Sequence, residues 1–328
     1  MANPFSLLES YATYGAHFMD LSIWEPHVRR VCQRHDLHPG KLIRPGLAGS
    51  FPTFIVADHW VVKFFGQLYG GAESYQAELA ANWIIASAPK ISAPALLATG
   101  ELFTDSTAWH WPYLIFDYVP GDSIGEVYAQ ICWDDKLALA HQLGGITRQL
   151  HSLKIEDSPF AMSQSRGSYL EFLEVQRSIC TSNHQKWNSL PQRLIAQISD
   201  YLLSPGEIID PSLPPTLIHA DITRDHILGQ IQKGHWQTQA LIDFGDAMIG
   251  DIFYELAALH LDVFQRDRRL LRPFLDSYGL SDQQKVDFPH KAMSVALLHQ
   301  FNIFHDLQDW IFEVPESLEA LATQLWDI

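Results

Sequence analysis

Leu217-Ile218-His219-Ala220-Asp221-Ile222-Thr223-Arg224-Asp225-His226-Ile227-Leu228, followed closely by Leu241-Ile242-Asp243-Phe244-Gly245-Asp246, is the stretch that decides the reading of this chain. In each block an apolar run carries an aspartate into a polar loop. The pattern predicts two short strands, Thr216 to His219 and Ala240 to Ile242, bracketing the most acidic region. One carboxylate held on such a loop suits the handling of a hydroxyl proton. A second suits a metal ion bridging phosphate oxygens.

Working upstream, Thr53 to Ala57 and Trp60 to Phe65 are rich in β-branched and aromatic residues, with Asp58-His59 as the turn between them. Lys63 lies inside the second run. A lysine in so apolar a strand needs an anionic partner, or it stands on an edge and points to water. Ala72 to Ala88 reads as a helix, with Leu79, Trp83 and Ile84 expected on its buried face. Before the strands, Gly46-Leu47-Ala48-Gly49-Ser50-Phe51 could bring backbone close to a phosphate. Ala95 to Gly100 and Trp111 to Tyr118 are further apolar runs, the second ending at Val119-Pro120-Gly121.

Met1 to His38 has helical character. Downstream, Asp134 to Leu153 is a helix with Leu137, Leu139, Ala140, Leu143 and Ile146 available for burial. Leu170 to Leu203 reads as helical but polar. A last helical stretch runs from Tyr254 to the end, broken near Gly279 and Pro315. The order predicts an α+β fold with three parts. These are an N-terminal helical segment (1–40), a small antiparallel-sheet lobe (41–119) and a mainly helical lobe (120–328).

The paired blocks resemble the catalytic and metal-binding loops of the aminoglycoside phosphotransferase and choline kinase superfamily, which has a two-lobed protein-kinase-like fold. The family pattern is His-x-Asp, four residues, Asn, then Asp-Phe/Trp-x. The resemblance makes His219 the motif histidine, Asp221 the catalytic aspartate and Asp243 the metal-binding aspartate. Gly250-Asp251-Ile252-Phe253-Tyr254-Glu255-Leu256-Ala257 is similar to the family's Gly-Asp-Pro-x-x-Asp-Leu-Ala, with Glu255 in place of aspartate. His226 stands where the family has a metal-binding asparagine. Imidazole binds divalent metals, but magnesium prefers oxygen, so His226 would bind the second metal weakly, favour manganese or leave that site empty, and Asp225 could share the task.

What the resemblance implies is an ATP- and magnesium-dependent kinase of small-molecule hydroxyls. Lys63, paired with a helix glutamate, Glu78 at best and Glu73 as the alternative, would grip the phosphates beneath the loop of Gly46, Gly49 and Ser50. The segment containing Asp117 and Tyr118 would read the purine with its backbone. The acceptor would be an aminoglycoside-like sugar, an amine or a metabolite, bound by Ser158 to Leu203 and Asp251 to Ile328. Glu255, Asp262 and Asp267, with Phe264, Phe274 and Tyr278, are candidates there, or simply two sides of amphipathic helices. No Ala-Pro-Glu segment follows Asp243, so a protein substrate is disfavoured.

Two other readings stay open. His226 keeps alive a nucleotide-binding pseudokinase without efficient turnover. His219-x-Asp221 with a later histidine such as His235 resembles a two-histidine, one-carboxylate iron centre, but leaves Lys63, Glu78 and Asp-Phe-Gly unexplained.

Composition sets the outer bounds. The 328 residues carry a net charge of −16, which disfavours nucleic acid, and 47% are hydrophobic, as expected of a folded enzyme. No apolar run is long enough for a membrane span, and the first residues lack a secretory pattern, so a cytoplasmic protein is expected. Cys32, Cys132 and Cys180 fit neither a disulfide framework nor a zinc pattern and read as buried small hydrophobes.

Overall fold

The structure, a computed structural model, describes residues 4–47, 49–88, 91–104, 109–155, 165–210, 212–307 and 314–328. Ala48 and residues 158–164, parts of the predicted glycine loop and acceptor region, lie outside them. The chain divides into two compact units. The first comprises residues 1–126, 227–230 and 237–246, and the second residues 127–226, 231–236 and 247–328.

In the first unit, β1 (Ile43–Pro45), β2 (Thr53–Val56), β3 (Trp60–Phe64), β4 (Leu96–Glu101) and β5 (Pro112–Asp117) form an antiparallel sheet in the order β1-β2-β3-β5-β4. Register places Lys63 between Thr53 on β2 and Leu114 on β5. A bulge interrupts β4 between Leu96 and Ala98. The Leu21–Arg34 helix lays Ile23, Trp24, Val28 and Val31 on one face. These pack with Phe54, Phe64, Trp111 and Tyr113 of the sheet side into one aromatic-rich core. Asp20 caps that helix by accepting the Ser22 N–H at 2.8 Å.

The Gly71–Ile85 helix departs from the predicted facing. Its buried set is Glu78, Ala81, Asn82 and Ile85, with Ala80 and Ile84 beside them, whereas Trp83 is 58% exposed. Glu78 is turned inward by Lys63, and on a helix residue 83 then points away from residues 78, 81, 82 and 85.

The predicted strands 216–219 and 240–242 are both present, but β7 (Thr216–Ile218) pairs with β10 (Met248–Gly250). The second belongs to a longer hairpin, β8 (Ile227–Gln232) and β9 (His235–Leu241). Lys233 and Gly234 both have positive φ, 53° and 84°. This is the backbone that a two-residue hairpin turn of matching twist demands. In the first unit β8 also pairs with β6 (Asp122–Ser123) through Asp122↔Gly229 and Ser123↔Leu228.

The second unit is mainly helical. The Trp133–His151 helix buries Leu139, Ala140, Leu143, Gly144, Thr147 and Leu150. A Cβ at Gly144 would overlap the Phe274 carbonyl, so glycine lets this helix approach Arg268–Tyr278 closely. The region 170–203 is not one helix. Arg166–Trp187 ends at Asn188 in the left-handed region, and short helices follow at Gln192–Ile195 and Ile198–Tyr201. Cys32 and Cys180 are buried as expected, whereas Cys132 is exposed, because it caps a helix at the surface.

Candidate active site

In the first unit Lys63, Glu78 and Asp243 come together. Lys63 Nζ lies 2.7 Å from Glu78 Oε2 and 2.8 Å from Asp243 Oδ1. Lys63 is only 6% exposed and Glu78 only 3%. The rings of Phe51 and Phe65 lie 5.8 and 5.3 Å from the ammonium. Burial alone would drive the proton off this lysine, but the Asp243 and Glu78 carboxylates reverse the effect and raise its pKa above the ordinary value. Glu73, the alternative partner, is exposed on the first turn of the helix. Asp243 keeps a side chain 34% exposed and has φ of 64°, unusual outside glycine. Its Oδ1 also faces the Gly245 N–H at 3.3 Å, which folds the loop back on itself.

The glycine loop is tied at both flanks. Gly46 donates its N–H to Thr53 O at 2.8 Å, and a Cβ there would press on Thr53. Gly49 has open space around it, so no packing demand explains glycine at that position. Ser50 is exposed, and its carbonyl accepts the Tyr14 hydroxyl at 2.8 Å. Asp117 ends β5 and gives its N–H to Ala95 O at 3.0 Å, while Tyr118 gives its own to His59 O at 2.9 Å. Neither amide is therefore available to a ligand. The Tyr118 hydroxyl meets Arg44 Nη2 at 3.1 Å, in a surface group with Asp58.

In the second unit β7 delivers His219, Ala220 and Asp221. His219 is fully buried, and its Nδ1 accepts the Asp221 N–H at 3.3 Å. Ala220 has φ of 67° and gives its N–H to Glu255 Oε2 at 2.9 Å. Burial pushes the Glu255 carboxyl up to about 8, against the Ala220 and His219 N–H groups that favour its ionised form, and the Asp221 charge adds to the rise. The loop then turns through Thr223 and Arg224. Asp262 accepts the Arg224 N–H at 2.6 Å and holds its guanidinium through Nε at 3.1 Å and Nη2 at 3.0 Å. Asp262 sits on a wide π turn, Leu259–Val263, that continues the Ile252–Ala258 helix.

His226 closes this loop. Its Nδ1 lies 2.7 Å from the Asp221 backbone carbonyl, 3.1 Å from Thr223 Oγ1 and 3.5 Å from Asp221 Oδ2. A carbonyl only accepts, so Nδ1 carries a proton in this contact. Asp225, the residue suggested to share a metal, is exposed. The loop is anchored by Glu255 and the Arg224–Asp262 pair. The family resemblance marks Glu255 as a departure from a motif, and Asp262 as either an acceptor-binding candidate or simply one side of an amphipathic helix; both hold backbone.

The other proposed acceptor residues are also structural. Asp267 caps the Arg268–Tyr278 helix through the Arg269 N–H at 2.9 Å. Phe264 and Phe274 are core residues. The Tyr278 hydroxyl bonds His151 Nδ1 at 3.0 Å, and burial lowers the pKa of that histidine to about 3.

Residues 43–289 match the Phosphotransferase enzyme family, and the chain belongs to that family. Its fold is that of aminoglycoside 2'-phosphotransferase-IIIa solved with GDP, at a TM-score of 0.65 and 20% identity over 91% of this chain and 97% of the other. The streptomycin-ATP ternary complex of APH(2'')-IIa aligns at a TM-score of 0.58 and 17% identity, covering 94% and 98%. Spectinomycin phosphotransferase APH(9)-Ia, with ADP and spectinomycin, aligns at 0.52 and 13%, covering 90% and 97%. The expected α+β, protein-kinase-like fold is therefore established, and with it a phosphotransferase relationship. Among curated proteins, Lysine-specific demethylase JMJ21 of Arabidopsis thaliana is 25% identical over 273 residues. That match takes in 66% of this chain but only 29% of the plant protein. No helix among the described residues is long and apolar enough to cross a membrane.

Proposed function

We propose that this chain transfers the γ-phosphoryl group of ATP, with magnesium, to a hydroxyl of a small molecule. The observation that carries the reading is the burial of Lys63 between Glu78 and Asp243. Such a cluster keeps a fixed positive charge for phosphate oxygens and a carboxylate for a hard cation. The donor set fits a metal-nucleotide. In the first unit Lys63 would hold phosphate and Asp243 the metal, and in the second unit His226 would take the metal-ligand role that its motif position implies. The metal, when bound, supplies charge neutralisation of the phosphates. Asp221 would accept the hydroxyl proton, kept in place by the backbone hold of Glu255 and by the Arg224–Asp262 pair. The acceptor class is an aminoglycoside-like sugar, another amine or a metabolite alcohol, in line with neighbours named for streptomycin and spectinomycin. The buried free thiols Cys32 and Cys180 agree with a reducing, cytoplasmic setting.

The test is a phosphorylation screen over a panel of amino sugars, amines and alcohols, using labelled ATP and GTP. Asp221→Ala should abolish turnover while sparing nucleotide binding. Asp243→Ala should abolish turnover and weaken metal-nucleotide binding. Wild-type-like turnover in either variant refutes its assigned role.

The imidazole of His226 favours a second reading, a nucleotide-binding module without efficient turnover. Metal-dependent nucleotide binding with no transfer to any acceptor or to water would select it. The iron-centre reading loses ground because His219 is fully buried and its Nδ1 is engaged with the Asp221 amide. The demethylase name belongs to a protein of which this chain matches less than a third.

A further inference from the structure

We propose that Cys132, Asp135 and His235 form a surface binding site for a divalent transition metal of the zinc type. Their ligand atoms, one sulfur, one carboxylate oxygen and one ring nitrogen, all lie within 4.8 Å of one another. Cys132 caps the Trp133–His151 helix and Asp135 lies in its first turn. His235 opens β9 directly after the Lys233-Gly234 turn. A hundred residues thus separate the histidine from the carboxylate it faces.

The spacing suits one ion. Zinc bonds of about 2.0–2.2 Å to nitrogen and oxygen and about 2.3 Å to sulfur place tetrahedral ligands roughly 3.3–3.7 Å apart. His235 Nδ1 is 3.2 Å from Asp135 Oδ1, so this pair already stands near that separation. The Cys132 thiol and the His235 ring both turn polar atoms to the Asp135 carboxylate. A metal would take the place of the protons they now direct there.

The carboxylate is also held for the purpose. Asp135 Oδ2 accepts the Trp236 N–H at 3.1 Å, and Trp236 is buried. The second oxygen is thereby fixed by a group that does not compete for the metal. Thiolate and carboxylate together offset the positive end of the helix dipole and most of the charge of the dication. The mixed sulfur, nitrogen and oxygen set selects zinc or cobalt over magnesium or calcium. Cys132 and His235 are exposed, which leaves an entry path and an open coordination position for water. The bound ion would pin the helix start to the tip of the hairpin that runs, along the chain, from the Asp221 loop to the Asp243 loop.

The experiment is a cobalt titration of the full chain, purified without chelating tags and followed by absorption. The expected result is a thiolate-to-cobalt charge-transfer band that saturates at a single equivalent and is bleached by zinc. The band needs sulfur, so metal held at Asp243 does not produce it, and Asp243→Ala should leave it intact. Cys132→Ser should remove the band, since Cys32 and Cys180 are buried. His235→Ala should weaken cobalt binding about tenfold or more. Absence of the band in the wild-type chain, its persistence in Cys132→Ser, or unchanged affinity in His235→Ala would each overturn the proposal.

Discussion

Glu255 Oε2 accepts the N–H of Ala220 at 2.9 Å, and this bond fixes a non-glycine residue in the left-handed region immediately before Asp221. Such a conformation costs of order 1 kcal/mol or more and persists only where neighbours impose it. The carboxylate is fully buried, so its protonation state enters the stability of the fold.

The pH dependence follows in sign from that burial. A carboxyl whose folded pKa is raised to about 8 binds a proton more tightly in the native chain than in the unfolded one. Its contribution is complete below the unfolded value of about 4.3 and declines as pH rises through the folded value. The melting temperature should therefore fall between about pH 4 and about pH 8 more steeply in the wild type than in Glu255→Gln. Thermal unfolding across that range checks it, and parallel curves would rule the coupling out.

Lys63 pairs with two carboxylates at once. Lys63→Met leaves Glu78 buried and uncompensated, and should destabilise the chain by about 3 kcal/mol. Adding Glu78→Leu removes the stranded charge and should restore a large part of the loss. Denaturant unfolding of the single and double variants measures both steps.

His226 offers nitrogen where magnesium prefers oxygen. On the proposed reading, His226→Asn should raise the magnesium-to-manganese ratio of kcat/KM several-fold, by about 1 kcal/mol in transition-state terms. A collapse of activity with both metals would assign the histidine a task of its own.

The contact between the Trp133–His151 and Arg268–Tyr278 helices tests packing alone. Gly144→Ala should cost about 2 kcal/mol, because its Cβ would overlap the Phe274 carbonyl. Gly145→Ala, with Ser277 Oγ at 3.5 Å as the nearest atom, should be neutral or stabilising by a few tenths of a kcal/mol. Melting temperatures of the pair separate a backbone clash from ordinary helix propensity.

Much of the fold was legible where local pattern and tertiary demand agree. Alternation and β-branching placed β2, β3 and β5, and helical spacing placed Gly71–Ile85 and Trp133–His151. Lys63 could be read as needing an anionic partner because it is isolated among apolar strand residues, and the family resemblance singled out Glu78. Trp83 was misplaced because a buried ion pair, not hydrophobicity, orients its helix. Of the β8–β9 hairpin only the end near Ala240 reads as strand, because its outer residues are polar. The pairing of β7 with β10 left no trace in either segment alone. Asp262 could be read only as an acceptor candidate or one side of an amphipathic helix, since nothing local announces Arg224. Cys132 seemed solitary for the same reason, its neighbour His235 lying far along the chain.

The five-stranded sheet carries a consequence for behaviour at high concentration. One margin is the three-residue β1, which ends in exposed Pro45. The other is β4, broken by its bulge and closed by Glu101. A short rim containing proline and a kinked rim ending in a charge are both poor templates for an incoming strand. Colloidal self-association through sheet extension is thereby suppressed on either flank, and the excess negative charge of the chain acts in the same direction.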